Sequence, residues 1–394
     1  MRLLDAYAIN CGAKIDKPFI YEQYFPIPTD KFITFQAQTR NEARDYDYWQ
    51  DVINIISPIL KNNNIHILQV GEPTDNLLKQ VIDIRGKTNI HQLAYLIKRA
   101  VLHLGPDSLD IHLASFFNTP IVGLYSSNHL KVSGPHFGSP EKQVLFGAYE
   151  RIRNKKPSFD LEENPKSINT IKPEEIAAAV FKLLGINFVI PFETVFLGEK
   201  YCSKTIREII PNANTFISNP EAPVEIRVDL HYDKEILTNQ LNYLQKAVII
   251  ADKPIDLGLL KHFKDRIPIF VYRITENDDP SFVEKVIGLG IQVALVSTLS
   301  LEELKPKRIK YYEFGRINLL QKPPQETIDA LKKDINKLYY RSMKFVTSNK
   351  KVYDSHAAIE IDRELVNDHE YNKVVDSPKF WEDLNFCIVV KLIE

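Results

Sequence analysis

The chain has 394 residues, of which 44% are hydrophobic and 26% are charged. This length and apolar content can bury more than one core, so we expect a globular protein with two domains and an appended segment. The 50 basic and 51 acidic residues give a formal net charge of −1. That balance excludes a globally basic nucleic-acid-binding protein and leaves a local basic groove open.

Cysteine spacing and hydropathy indicate the cellular compartment. Cys11, Cys202 and Cys387 are far apart and show no paired spacing, which argues against a zinc site and against a disulfide framework. The N-terminus has no basic segment followed by an apolar core, and no uncharged apolar run reaches the roughly 20 residues that span a bilayer. We therefore predict a cytoplasmic protein with free thiols and no transmembrane segment.

From residue 31 onward, strand-like runs alternate with helical patterns. The predicted strands are 31–37, 65–71, 101–106 and 120–126, and the predicted helices are 47–63, 89–100, 109–118 and 172–185. The first helix is interrupted near Pro58, and Thr88 or Asn89 caps the second. This alternation predicts a parallel sheet flanked by helices.

A second series of the same kind begins near residue 192. Its predicted strands are 193–198, 213–218, 225–231, 246–252, 267–274, 291–297 and 309–315, with a helix at 279–290. A charged helix at 323–346 and a tail ending in "KFWEDLNFCIVVKLIE" follow. The fold class is therefore α/β with two Rossmann-like domains and a C-terminal helical and tail segment. The predicted parts are a linker-like segment (1–30), a first domain (31–190), a second domain (191–318) and the C-terminal segment (319–394).

The stretch "HLGPDSLDIHLASFFNTPIVGLYSS" (103–127) contains an acid, a hydroxyl and an imidazole where a strand meets a helix. In open α/β sheets ligands bind beyond the carboxyl ends of the strands, where helix N-termini attract anions. Asp107, Ser108 and His112 therefore suit a diphosphate, since an imidazole can donate to a phosphate oxygen. In the alternative interpretation Asp107 or Ser108 only caps the helix and His112 is a core histidine.

The whole segment from "DIRGKTNIHQLAYLIKRA" through "GPDSLDIHLASFFNTPIVGLYSSN" resembles the donor-binding half of the heptosyltransferase-type glycosyltransferases, family nine, which have the GT-B fold. The family pattern is "G-x-D-[ST]-G-x-x-H-L-A-A" followed by "T-P-x-[IV]-x-L-[FY]-G". Outward similarity extends the resemblance over about residues 1–186. It implies a first domain that binds a nucleotide-diphosphate sugar.

The resemblance also implies roles for individual residues. Thr39 and Arg44 fall in the loop that meets the donor phosphates and sugar, and Glu72 matches the acid that receives the nucleoside end. Asp107, Ser108 and His112 match the sugar-diphosphate pocket. The match of Arg44 to a family lysine includes a one-residue difference in loop length. As alternatives, Arg44 and Glu72 are solvated surface charges.

The chain departs from the family at the same turn. Leu109 replaces the family glycine, and its Cβ hinders close approach of the backbone to a phosphate. Asp110 adds a negative charge, which is unfavourable near a diphosphate if it faces the pocket. Ser126 and Ser127 replace the usual Gly-Pro. A different sugar, a different nucleotide and lost activity are all open.

Domain order departs as well, because the family's acceptor domain does not precede the donor domain. The simplest reconciliation is a GT-B-like pair in permuted order, with the second Rossmann-like domain on the acceptor side. Inverting transfer needs a base for the acceptor hydroxyl. Asp229, His231 and Asp252 follow predicted strands and are the candidates, although each also fits a turn or cap residue.

Two function classes follow. One is a cytoplasmic inverting glycosyltransferase that uses an ADP-heptose-like donor without a metal or other cofactor. The other is a non-catalytic nucleotide- or glycan-binding relative, or a subunit of a glycosyltransferase complex. Leu109 and Asp110 favour the second class, whereas the retained Glu72, Asp107 and His112 favour the first. The acceptor stays open among a glycan, a lipid-linked glycan, a protein and a modified nucleic acid.

Overall fold

The computed structural model describes residues 2–15, 19–152, 155–163, 166–195, 206–217, 224–320, 323–366 and 370–393. The chain divides into two compact units. The first unit contains Met1–Thr194 and Leu392–Glu394, and the second contains Val195–Lys391. Predicted residues 196–198 and 218, and Cys202, lie outside the described part. Cys11 is an exposed free thiol and Cys387 a buried one.

The first unit is built on six parallel strands. The strands are β1 (Phe32–Gln36), β2 (His66–Val70), β3 (Ile82–Asp83), β4 (Leu102–Pro106), β5 (Ile121–Tyr125) and β6 (Gln143–Gly147). The helices are α1 (Leu3–Asn10), α2 (Trp49–Asn62), α3 (Ile90–Arg99), α4 (Leu109–Phe116), α5 (Leu130–Ser133) and α6 (Pro173–Leu184). The spatial order β3-β2-β1-β4-β5-β6 is that of a Rossmann sheet.

Local chemistry explains the ends of these helices. Asn89 caps α3 by accepting hydrogen bonds from the backbone of His91 and Gln92, which selects Asn89 over Thr88 as the cap. Helix α6 begins at Pro173 and ends before Gly185, whose φ of 67° is left-handed. Helix α2 continues through Pro58 instead of breaking there.

The second unit contains a larger sheet, which is parallel except for one antiparallel strand at its edge. Its strands are β8 (Ile206–Ile209), β9 (Val224–Arg227), β10 (Ala247–Ala251), β11 (Ile269–Ile274), β12 (Gln292–Ser297), β13 (Ile317–Leu319), β15 (Lys344–Ser348) and β16 (Lys351–Tyr353). They lie in the order β13-β12-β11-β10-β9-β8-β15-β16. Strands β8 to β13 thus follow one another in sequence order, and β15 is added beside β8 in parallel.

A four-stranded sheet has the order β17-β14-β18-β7. Its strands are β7 (Phe192–Val195), β14 (Leu338–Ser342), β17 (Asn372–Lys373) and β18 (Cys387–Leu392). The remaining helices are α7 (Lys234–Tyr243), α8 (Leu257–His262), α9 (Pro280–Gly288), α10 (Leu301–Lys310), α11 (Gln325–Lys332), α12 (His356–Glu360) and α13 (Pro378–Asp383). The apolar tail is thus a strand, antiparallel to β14. The predicted α/β class with parallel sheets is confirmed.

Three predicted elements differ from the structure. Residues 213–217 form turns, in which Thr215 donates to the Ala213 carbonyl, and β8 is the strand of this region. Residues 309–315 do not form a strand, since helix α10, which begins after a capping box at Ser300, runs to Lys310 and Tyr312–Phe314 form a 3-10 turn. The helix predicted at 323–346 stops at Lys332, since the β-branched and aromatic residues after it pair as strands.

None of the helices in the described part of the chain is both long enough and apolar enough to cross a bilayer.

Candidate functional site

The candidate site lies where three neighbouring strands of the first unit end. Strand β1 ends at Gln36, β4 is followed by Asp107 and Ser108, and β5 is followed by residues 126–128. The strand order reverses between β1 and β4, so a crevice opens outside their carboxyl ends. The fold therefore gathers the residues of 103–127 at the position where α/β proteins bind ligands.

Asp107 and Arg44 form the charged centre of this site. The Arg44 guanidinium donates to the Asp107 carbonyl at 3.1 Å and lies 3.4 Å from its carboxylate. The Asn128 side-chain amide also donates to the Asp107 carboxylate, at 3.1 Å. The side chain of Asp107 is 6% exposed and that of Arg44 is 24% exposed. Asp107 thus holds the Arg44 guanidinium at the site, and this guanidinium keeps access to solvent.

Ser108 is the residue before α4, but its side chain makes no capping hydrogen bond. Its hydroxyl donates instead to the Gln36 side-chain oxygen at 2.5 Å. The interpretation in which Ser108 only caps the helix is therefore wrong. The first N–H groups of α4 lack a capping side chain and carry the positive end of the helix dipole, which suits an anion.

His112 and Leu109 share the outer face of α4. Leu109 is 51% exposed and His112 is exposed on the next turn. The surrounding protein lowers the pKa of His112 by desolvation, and the nearby Asp107 carboxylate acts in the opposite direction. A neutral imidazole at this position can donate one hydrogen bond to a phosphate or hydroxyl oxygen. The interpretation of His112 as a core histidine is wrong.

Asp110 lies on the inner face of the same helix turn. Only 4% of it is exposed, and burial raises its pKa from 3.8 to about 7. In the described part of the chain, its carboxyl group takes part in no hydrogen bond or ion pair. The carboxyl group that this turn adds is therefore inside the protein, where burial favours its protonated form.

The other two predicted donor-binding residues are not in this cluster. Thr39 is held within its own loop, where its backbone N–H and hydroxyl donate to the Asp45 carboxylate at 2.7 and 3.1 Å. Glu72 follows β2, and its exposed carboxylate lies 3.8 Å from the Arg40 guanidinium. Because β2 neighbours β1 on the side away from β4, Glu72 marks the other end of the same sheet edge.

The three candidate bases line one cavity of the second unit, with a volume of about 350 Å³. Asp229 and His231 follow β9, and Asp252 follows β10. Both carboxylate oxygens of Asp229 accept hydrogen bonds from Arg227, each at 2.8 Å. Because Arg227 already occupies both oxygens of Asp229, Asp252 and His231 are the more accessible candidate bases.

Asp229 belongs to a larger set of buried charges, which we call the charge network. Its members are Glu208, Arg227, Asp229, Lys344, His356 and Asp383. The Lys344 ammonium lies 3.0 Å from a carboxylate oxygen of both Glu208 and Asp383. The two ring nitrogens of His356 lie 2.9 Å from the same two carboxylates. Acids and bases thus alternate and neutralise one another.

The network shifts the pKa values of its members. Burial alone would lower the pKa of Lys344, but the carboxylates of Glu208 and Asp383 outweigh burial and raise it. Burial opposes ionisation of Glu208 too, yet His356, Lys344 and Arg227 lower its pKa to about 2. Glu208 and Lys344 therefore stay charged near neutral pH. Among the residues that the structure describes, no group of His, Cys, Asp and Glu side chains is arranged to hold a metal ion.

Sequence reasoning missed three polar residues of the first-unit site. Gln36 receives the Ser108 hydroxyl, Asn128 donates to Asp107, and the Arg44 Nε lies 3.5 Å from the Ser127 hydroxyl. The available signal was their position, since all three stand at or just after the carboxyl end of a predicted strand. The Ser127 that departs from the family pattern therefore contributes to the site.

Comparison with known proteins identifies the segment that carries this site. Residues 10–159 match Glycosyltransferase family 9 (heptosyltransferase). This segment is therefore similar to glycosyltransferase family 9. It includes all six predicted donor-binding residues, and the resemblance stated from the sequence is confirmed.

Two curated relatives are similar to part of this chain. The chain is 31% identical over 168 residues to lipopolysaccharide heptosyltransferase 3 of Escherichia coli, which covers 39% of this chain and 47% of that protein. It is 30% identical over 148 residues to the lipopolysaccharide core heptosyltransferase OpsX of Haemophilus influenzae, covering 34% and 43%. The chain thus spans just under half the length of each of these relatives.

Among solved structures, the glycosyl transferase family 9 protein from Veillonella parvula is 20% identical. The match covers 39% of this chain and 46% of that chain, with a TM-score of 0.34.

Proposed function

We propose that this chain is an inverting glycosyltransferase that takes its sugar from an ADP-heptose-like nucleotide-diphosphate donor. One observation carries the proposal. Within a segment similar to glycosyltransferase family 9, the N-terminus of α4 has no capping side chain and lies beside Arg44 at the reversal point of the sheet. Backbone N–H groups and a guanidinium together match the charge and geometry of a diphosphate.

In this proposal the α4 N–H groups and Arg44 bind the diphosphate, Ser108 and His112 contact phosphate or sugar oxygens, and Glu72 receives the nucleoside. Negative charge develops on the diphosphate as the glycosidic bond breaks. Fixed donors aimed at that charge stabilise the transition state without reorganisation. Arg44 and the helix dipole supply the positive charge, so the proposed reaction uses no metal ion and no other cofactor.

Inversion requires that the acceptor hydroxyl attack the anomeric carbon on the face opposite the leaving diphosphate, while a base removes its proton. We propose this base among Asp229, His231 and Asp252. Arg227 already occupies both oxygens of Asp229, so Asp252→Asn and His231→Gln are the first variants to test for lost turnover with retained donor affinity. The acceptor class stays open, and cytoplasmic localisation remains a prediction.

A non-catalytic nucleotide- or glycan-binding protein, or a subunit of a glycosyltransferase complex, is the second candidate. Leu109 favours it, because its side chain occupies the place of a family glycine at the first residue of α4. A carbon side chain there keeps the phosphate farther from the backbone N–H groups. Weaker binding of the diphosphate would then slow or abolish transfer.

Calorimetry and thermal shift with a panel of nucleotide sugars test the proposal. A donor at about a hundredfold excess over its Kd should stabilise the fold by about 2.7 kcal/mol. Release of the nucleoside diphosphate in the presence of acceptor extracts would establish transfer. Binding without release under any acceptor condition would favour the second candidate. Absence of a shift with every common nucleotide sugar at millimolar concentration would contradict the proposed transferase.

A further inference from the structure

A segment of the first unit crosses the edge of the sheet beside the candidate site. We call residues 157–163 the strap. The Phe159 N–H donates to the Ser127 carbonyl at 2.9 Å, and the Leu161 carbonyl accepts from the Ala43 N–H at 2.9 Å. Ala43 precedes Arg44, and Ser127 contacts Arg44. The strap therefore joins the two loops that flank the charged centre of the site.

Side-chain hydrogen bonds hold the strap in place. The Glu163 carboxylate accepts from the Ser158 hydroxyl at 2.6 Å. Its other oxygen accepts from the N–H and hydroxyl of Ser167, both at 2.7 Å. The Ser126 hydroxyl, at the end of β5, donates to the Ala43 carbonyl at 2.6 Å. The backbone of the strap is thus fixed relative to the residues that surround Arg44.

On this fixed backbone two apolar side chains point to solvent. Phe159 is 70% exposed and Leu161 is 71% exposed. Phe159 also has a φ of 62°, a left-handed conformation that is rare and unfavourable for a bulky residue. Neither burial nor local backbone preference explains this arrangement. Strained, exposed apolar residues beside a polar site are a reason to look for a ligand that covers them.

The position of the strap indicates which part of a ligand would cover Phe159 and Leu161. Strand order places Glu72, after β2, on one side of the charged centre and Ser127, after β5, on the other. If Glu72 receives the nucleoside and Arg44 the diphosphate, the strap lies at the end where the sugar extends. A pyranose ring has one face of C–H groups, which packs well on an aromatic ring or a branched alkyl group.

We propose that Phe159, with Leu161 beside it, is the platform on which the sugar ring of the donor packs. This inference rests on the proposed function. It assigns the two strap residues to sugar recognition and separates them from diphosphate binding, which Arg44 and α4 perform. Contact with the sugar covers the exposed ring and offsets the strain in the Phe159 backbone.

The test compares each nucleotide sugar that binds with its own nucleoside diphosphate, for example ADP-heptose with ADP, by calorimetry on the full chain. Phe159→Ala and Leu161→Ala should each weaken binding of the nucleotide sugar by about tenfold and leave the affinity for the diphosphate unchanged. Phe159→Trp should retain sugar binding and report it through a change in fluorescence. Phe19→Ala, which removes another exposed phenylalanine of the same unit, is the matched control.

Phe159→Gly separates binding from folding. Glycine adopts positive φ without steric cost, so this variant should melt at or above the wild-type temperature while it loses the preference for the sugar conjugate. Equal weakening of both ligands, or weakening of neither, would overturn the platform and leave the proposed function standing. If the wild-type chain binds no member of any pair, the proposed function fails and the platform with it.

Discussion

The two large sheets of this protein differ in how their polar side chains are used. In the first unit, Arg44 and His112 are accessible to solvent. The Ser108 hydroxyl donates to Gln36 and can still accept a hydrogen bond. In the second unit the charge network is closed, since Lys344 and His356 each bridge the same two carboxylates. Arg227 then extends the network to Asp229. The first-unit site keeps polar groups for a ligand, whereas the charge network pairs its groups with one another.

The difference matters because burial changes what an ionisable group can do. A buried ion pair contributes little net stability relative to apolar packing, but removal of one partner leaves an unpaired buried charge. The Arg44 guanidinium is partly exposed, so it can exchange one anionic partner for another. We therefore expect substitutions in the charge network to change folding, and substitutions at the first-unit site to change binding.

The largest effect is expected from Lys344→Met. This change removes one of the two bases shared by Glu208 and Asp383, which are 2% and 5% exposed, and should lower the free energy of unfolding by about 3–5 kcal/mol. Urea unfolding followed by circular dichroism measures the change. Lys305→Met, at an exposed pair with Glu302, is the control and should have no measurable effect. An equally small effect for Lys344→Met would show that the network is not a structural element.

Asp110→Asn should have the next largest effect, and it depends on pH. The folded-state pKa of Asp110 is about 7 and the ordinary value is 3.8, so between these values the folded protein retains a proton that the unfolded chain has lost. The free energy of unfolding of the wild type therefore falls as pH rises through this window. The fall from pH 5 to pH 8 amounts to about 2–3 kcal/mol.

Asparagine cannot titrate, so the stability of Asp110→Asn relative to wild type should increase over the same range and level off above pH 7 to 8. Thermal or urea unfolding of both proteins at several pH values measures this difference, and contributions from all other groups cancel in it. A difference that stays constant with pH would mean that Asp110 is not held neutral by burial.

Arg44→Met tests whether the first-unit site binds a nucleoside diphosphate through Arg44. The loss of a charge-assisted contact with the diphosphate should weaken nucleoside diphosphate binding about ten- to a hundredfold. Arg44→Lys should recover part of this, because it keeps the charge and loses the fork of donors. Arg308→Met, on an exposed position of α10, controls for the change in net charge. Unchanged affinity in Arg44→Met would remove Arg44 from the site.

Much of the first unit could be predicted from its sequence because local signals and tertiary packing agree there. Residues 101–106 and 120–126 are short apolar runs bounded by turn residues, and they are β4 and β5. Asn89 and Gly185 mark helix ends by their own chemistry. By contrast, β3 has only two residues and was not predicted, since so short a strand carries no periodic pattern.

The second unit shows where sequence patterns fail. Residues 338–346 follow a helical pattern with α11, yet pairing with β18 and β8 makes them strands. The charge network was invisible for a related reason: Glu208, Lys344, His356 and Asp383 are scattered over 176 positions of the chain, and only the tertiary fold brings them together. In the first unit, Asp107 was found because it follows a predicted strand whose carboxyl end marks the ligand-binding edge, and Arg44 was found through the family resemblance.

Leu109→Gly has the smallest expected effect on stability and addresses the departure from the family most directly. Because Leu109 is 51% exposed, its removal creates no buried cavity, and the cost is mainly the helix propensity of glycine, about 1 kcal/mol or less at the first residue of α4. The same change opens the α4 N–H groups to a phosphate, so nucleoside diphosphate affinity should rise. Calorimetry and melting temperature, measured together, decide the matter. Tighter binding with a small loss of stability would show that Leu109 limits an otherwise complete anion site, whereas a loss of stability without tighter binding would show that the turn does not approach the diphosphate.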